Sequence, residues 1–229
     1  MSDSAIPLSP TSARVRVSTN GPYVVSAGLP LGTRTPVKSA AGEAIDWTAG
    51  EDRASDGVYA LCRCGRSANK PYCDRSHRSA GFDGTCTADR APGATRRKVL
   101  QGVGITMTDD DSLCAGYEYC DRHGGVWRTI AATADPATRD ELMKQIAQCP
   151  SGRLQYIVDG QTEPAEPAYT AAIATIPDGP LWLMGRVPVE TADGFTYEVR
   201  NRQLLCRCGA SSNKPFCDGT HHKIGFRAP

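Results

Sequence analysis

The chain has 229 residues, 40% hydrophobic and 22% charged, which is enough apolar content for packed domains and too much for wholesale disorder. Lys plus Arg number 26 against 25 Asp plus Glu, so a net charge of +1 lacks the basic excess of a dedicated nucleic-acid binder; no apolar run approaches the ~18 residues of a membrane helix. Against 7% aromatic residues stand 23 Gly, 16 Pro and 10 Cys, and cysteine is the feature to explain.

The opening residues, MSDSAIPLSP, have neither the basic region nor the apolar run of a secretory signal. They predict a cytoplasmic chain with a loose tail over 1–17. Asn20-Gly21-Pro22 is a turn signal, and the apolar run after it predicts a short strand before Leu31. Leu61 to His77 reads LCRCGRSANKPYCDRSH, with Cys62, Cys64, Cys73 and His77, followed by Gly81-Phe82. These parts form a first module over 18–90.

A different unit is predicted over 97–176. Val103 to Thr108 is expected as a strand, and Cys114 to Cys120 as a loop. Gly102-Val103-Gly104 precedes no helix and fails the dinucleotide fingerprint. Asp135-Pro136 is an N-cap followed by proline at the first helical position. Leu142, Ile146 and Cys149 continue at helical spacing, so a helix is expected over Ala137 to Gln148. Leu154 to Val158 is a predicted strand, and Glu163 to Pro167, EPAEP, a linker.

The first pattern then returns over 177–229. Asp178 to Val189 reads DGPLWLMGRVPV, and Leu205 to His221 reads LCRCGASSNKPFCDGTH, with Cys206, Cys208, Cys217 and His221 before Gly225-Phe226. The connector in copy one is 14 residues longer, which predicts a surface insertion around Ser39 to Gly57. Repetition of a whole module points to duplication, and two like modules can pack as an internal pseudo-dimer within a monomer.

In an extended segment, residues two apart point to one side, so Cys62 and Cys64 can grip one metal. Cys73 and His77, four apart, share a helix face. Asp74 and Asp218 stand where their carboxylates can cap such a turn, and Pro71 and Pro215 stiffen its approach. Three thiolates and one imidazole suit either a single tetrahedral zinc or a two-iron, two-sulfur cluster with one ligand pair per iron. A Cys-x-Cys disulfide is strained and leaves the paired histidines unexplained. Arg63, Arg66, Lys70, Arg207 and Lys214 lie inside the motifs; they either offset cluster charge or form a solvated face. His222 reads as an exposed neighbour of His221.

The run Cys-x-Cys-x2-Ser-x3-Pro-x-Cys-Asp-x2-His resembles the signature of the CDGSH iron–sulfur domains of the mitoNEET-like family. Copy two matches in full through Ser211, Pro215, Asp218, Gly219 and Thr220, while copy one has Arg75 where glycine is usual. The resemblance implies one [2Fe-2S] cluster per module, held by Cys62, Cys64, Cys73 and His77 and by Cys206, Cys208, Cys217 and His221. It implies electron transfer or cluster transfer, with a redox partner protein or a cluster-accepting apo-protein. Cys114-x5-Cys120 followed by Cys149-Pro150 resembles a divergent single-cluster ferredoxin in which Tyr117 takes the place of the middle cysteine. Cys114, Cys120 and Cys149 are thus candidates for a third cluster, [3Fe-4S], or [4Fe-4S] with His123 or Cys86 as fourth ligand. The plainer readings are a turn for His123, beside Gly124-Gly125, a loop thiol for Cys86, and buried small hydrophobes for the other cysteines.

The expected fold is α+β and strand-rich, with two cluster modules as a pseudo-dimer flanking a small ferredoxin-like unit. The expected function is an iron–sulfur carrier that meets neither nucleic acid nor membrane. A zinc-binding interaction protein is the competing reading. Absence of a phosphate loop and of a nucleophile elbow leaves an enzyme without visible machinery.

Overall fold

The computed structural model describes residues 13–53 and 57–229. Of the tail expected over 1–17, residues 1–12 lie outside the described residues, and its last part is ordered. Val15–Val17 forms β1, with both valines inward and Arg16 outward, the period-2 pattern of a half-buried strand. β2 (Tyr23–Val25) returns antiparallel after the Asn-Gly-Pro turn, and β3 (Leu31–Lys38) and β4 (Ala44–Ala49) follow. β5 (Tyr59–Leu61) pairs with β2 and leads into the first cysteine motif.

The middle unit contributes β6 (Lys98–Gln101), β7 (Ile105–Asp109), α1 (Val126–Thr129), α2 (Pro136–Ala147) and β8 (Leu154–Val158). The strand expected at 103–108 is the second arm of a hairpin, because Gly104 turns the chain at φ 79°. β6 escaped the sequence pattern because its outer residues face water; Val99 is 61% exposed. α2 begins as expected, with the Asp135 carboxylate accepting from the Thr138 amide at 2.9 Å. Leu142 and Ile146 pack on Ile105, Met107 and Leu154. Cys149 lies just beyond the helix, not on its face.

The second module holds β9 (Ala172–Thr175), β10 (Leu181–Met184), β11 (Val189–Glu190), β12 (Arg202–Leu205) and the short α3 (Thr220–Lys223). β9, just before the expected boundary at 177, pairs with β10. β9, β10 and β12 repeat the arrangement of β1, β2 and β5.

The two copies exchange strands. β3 leaves the first module and lies parallel to β9, with Leu31 opposite Ile173; β11 leaves the second and lies parallel to β1, with Val189 opposite Val15. The sheet orders are β11-β1-β2-β5 and β12-β10-β9-β3-β4. Each borrowed strand covers an otherwise open edge. Val15, Tyr23, Val25 and Leu61 share one core with Ile173, Leu181, Leu183 and Leu205, so the copies form a pseudo-dimer with a common interior. The two cysteine loops also meet, at a pair of glycines. A Cβ on Gly65 would run into the Cys208 carbonyl, and one on Gly209 would stand 2.6 Å from the Cys64 carbonyl oxygen.

The insertion expected on the surface is the β3–β4 hairpin, and it clasps the middle unit. Trp47 packs 4.7 Å from Trp182 and 5.0 Å from Tyr119 between ring centroids, and its indole N–H donates to the Gln148 carbonyl at 3.1 Å. The segment expected as a linker at 163–167 is also pinned. Buried Arg202 donates to Glu166 at 2.7 and 3.0 Å, and its Nη1 donates to the carbonyls of Ile146 and Cys149 at 2.8 and 2.7 Å. One guanidinium thereby fastens the end of α2 to the second module.

Candidate metal centres

Both cysteine motifs fold alike. Cys62 and Cys206 leave their strands with amides bonded to the carbonyls of Pro71 and Pro215, each at 2.8 Å. The Ser67 and Ser211 hydroxyls donate to the carbonyls of Tyr72 and Phe216, each at 2.7 Å. Asp74 accepts from the amides of Ser76 and Ala68, and Asp218 from those of Thr220 and Ser212, so each carboxylate caps its turn and ties it to the loop. Arg63 and Arg207 are buried and belong to no solvated face. Arg63 donates to the carbonyls of Gly21, Gly84 and Ser18, and Arg207 to those of Gly179, Pro229 and Ile176. Lys70 and Lys214 each donate to a loop carbonyl at 2.6 Å.

The donors meet in pairs. Cys62 and Cys64 sulfurs are 3.8 Å apart, Cys206 and Cys208 sulfurs 3.7 Å. The Cys73 sulfur is 3.5 Å from His77 Nδ1, and the Cys217 sulfur 3.3 Å from His221 Nδ1. Two thiolates ~2.3 Å from one tetrahedral metal stand roughly 3.8 Å apart, and a thiolate and an imidazole nitrogen roughly 3.5 Å. Each pair therefore has the span of two ligands on one metal. Each motif thus presents two donor pairs, one Cys-Cys and one Cys-His, a set that a two-metal cluster with one pair per metal can use. All ten cysteines are free thiols.

The two centres differ in cover. Cys217 and His221 are buried, whereas Cys73 and His77 are half-buried. The cover over the second centre comes from the Cys114–Tyr119 loop and the β3–β4 hairpin: Pro36, Lys38, Ala44, Cys114, Gly116 and Tyr117 wall the recess of His221. Burial pushes the Cys217 thiol up and holds the His221 imidazole down at about 4, so His221 is neutral and its ring can donate a lone pair. A hydrogen bond from Cys206 lowers Cys208 to about 7, while Cys206 rises. Metal binding displaces the thiol protons. His222 is exposed, as expected, with its ring centroid 3.9 Å from that of His221.

In the middle unit, Cys114, Cys120 and Cys149 line one small cavity with Tyr117, Tyr119 and Arg153. Burial raises the Cys120 thiol to about 12. Arg153 is held in a fork by Asp109, at 2.6 and 2.9 Å, which brings a fixed positive charge to the cavity. Neither expected fourth ligand reaches it. His123 occupies a left-handed turn at φ 54° and points to Glu141, 3.7 Å away. Cys86 packs against the shared core of the pseudo-dimer. Cys114 lines both this cavity and the recess of His221. The sequence reading missed Arg153, Arg202 and the covering role of Tyr117; none belongs to a repeated pattern.

Comparison with family models matches residues 20–78 and 178–222 to the iron-binding zinc finger of CDGSH type. Residues 100–159 match the divergent 4Fe-4S mono-cluster family. No curated protein and no solved structure matches the chain. Among the described residues no helix is long and apolar enough to cross a membrane.

Proposed function

We propose that this chain, an iron–sulfur protein in which two CDGSH-type iron-binding regions flank a divergent mono-cluster region, is an electron carrier. Each CDGSH module would hold a [2Fe-2S] cluster: Cys62 and Cys64 opposite Cys73 and His77, and Cys206 and Cys208 opposite Cys217 and His221. Cys114, Cys120 and Cys149 would hold a third cluster, and a set of three thiolates suits [3Fe-4S]. Such clusters supply one-electron exchange.

The observation that carries this reading is contiguity. Gly65 and Gly209 let the Cys64 and Cys208 backbones touch across the pseudo-dimer, and Cys114 borders both the middle cavity and the His221 recess. The chain's own residues do the rest. The strand exchange fixes the distance between the CDGSH loops, Arg202 fixes the middle unit on the second module, and the Tyr117 loop keeps water from His221. Half-buried Cys73 and His77 favour a second reading, release of the first cluster to an acceptor. An anaerobic reductive titration tests the carrier reading. About three electrons per chain are expected, one per cluster. No electron uptake by protein carrying stoichiometric zinc would overturn it.

A further inference from the structure

The two CDGSH modules are alike in their ligands and unlike in what surrounds them. At the second, Gly219 lies under the middle unit: a Cβ there would stand 3.2 Å from the Ala115 carbonyl oxygen. At the first, Asp74, Arg75 and Arg78 of the corresponding loop are exposed. The equivalent position is Arg75, which keeps φ at +74°, a backbone conformation that penalises any side chain. Two further substitutions run the same way. Arg66 stands where the second copy has Ala210, and Arg78 where it has His222. All three arginines are exposed, and none forms an ion pair among the described residues.

Arg75 and Arg78 line an open recess with Cys73 and His77, and the Arg66 amide donates to the Cys64 sulfur at 3.4 Å. Two carboxylates lie nearby and stay charged, but the three guanidiniums outnumber them: Asp74 accepts from Ala68 and Ser76, and Asp83 from the amide and hydroxyl of Thr85. An aromatic completes the contrast: Tyr72, beside Cys73, is 43% exposed, while its counterpart Phe216, beside Cys217, is 5% exposed. Arginine and tyrosine are the residues that most often anchor protein interfaces.

We infer that the Arg66, Arg75, Arg78 and Tyr72 face of the first module is the docking surface for an acidic partner protein, and that the covered second module docks none. This rests on the carrier reading for its purpose, but the surface is testable by itself. Free guanidiniums around an accessible centre favour fast, salt-sensitive encounter with a negatively charged surface, the mode suited to a transient redox contact.

The test uses the metal-loaded chain and a fluorescently labelled acidic plant-type ferredoxin as probe, with anisotropy read at low and high salt. Giving the first module the residues of the second (R66A/R75G/R78H) should weaken binding at least about 10-fold at low salt, with the difference shrinking at high salt. Removing three exposed cations elsewhere (R128A/K144A/R186A) should leave binding unchanged. R66E/R78E, which leaves the Arg75 turn intact, should exchange the acidic probe for a basic one, cytochrome c. Equal binding by parent and R66A/R75G/R78H, or equal loss in both triple variants, overturns the docking surface. Iron and sulfide measured on the same samples keep the outcomes apart, since metal content tests the carrier reading and binding tests this one.

Discussion

Gly65→Ala places a methyl group at the point where the two CDGSH loops touch. Two costs follow. Gly65 has φ +76°, a left-handed conformation that costs an L-residue roughly 1–2 kcal/mol. The added Cβ also meets the Cys208 backbone, with the carbonyl carbon at 2.9 Å, and a backbone atom cannot swing aside as a side-chain tip can. Overpacking of this kind costs about 1–3 kcal/mol. The sum is roughly 2–5 kcal/mol, or a fall of about 5–15 °C in Tm for a chain of this size. Gly81→Ala is the control. Gly81 has φ +57° with nothing within 4 Å of its Cβ position, so it bears the conformational cost alone. Thermal unfolding of the two metal-loaded variants separates the terms. Gly209→Ala should resemble Gly65→Ala, since its Cβ meets the Cys64 carbonyl. Equal Tm values for G65A and G81A would refute the contact between the loops.

Arg202→Met should destabilise by about 3–5 kcal/mol in chemical denaturation, because it leaves Glu166 half-buried and unpaired and frees the carbonyls at the end of α2. Although burial opposes it, the Arg202 hydrogen bonds lower the Glu166 pKa overall. The pair's contribution is therefore complete above the ordinary carboxylate range and is lost as pH falls through the lowered value, so E166Q should flatten the acid side of a stability–pH curve. Asp135→Ala removes the cap of α2 and should cost about 1 kcal/mol by the same measurement. His221→Cys replaces a neutral donor with a thiolate and should lower the potential of one cluster in a redox titration while the other stays in place.

Some of this architecture is legible in the sequence because the signal is local. The cap and helix at Asp135-Pro136 and the Cys-Cys and Cys-His pairs of each motif lie within four residues of one another, and His123 turns where Gly124-Gly125 announces a turn. What is not legible is long-range. β3 and β11 each follow a proline without an apolar run to mark them, and nothing near Leu31 names Ile173 as its partner. The EPAEP run has the composition of a linker, while the partner that buries Glu166 lies 36 residues on. The insertion around Trp47 reads as surface because its aromatic neighbours, Tyr117, Tyr119 and Trp182, come from two other units. The unequal cover of the two centres did leave a trace, in arginines that stand where the second copy has alanine, glycine and histidine. That trace becomes interpretable once the middle unit is seen over Gly219.

Iron, acid-labile sulfide and zinc per chain, on protein purified without oxygen, test the central claim most directly. Two [2Fe-2S] clusters and one three-cysteine [3Fe-4S] cluster predict about seven iron and eight sulfide per chain. About one zinc per CDGSH module with no sulfide would contradict the account and leave a zinc-stabilised interaction protein.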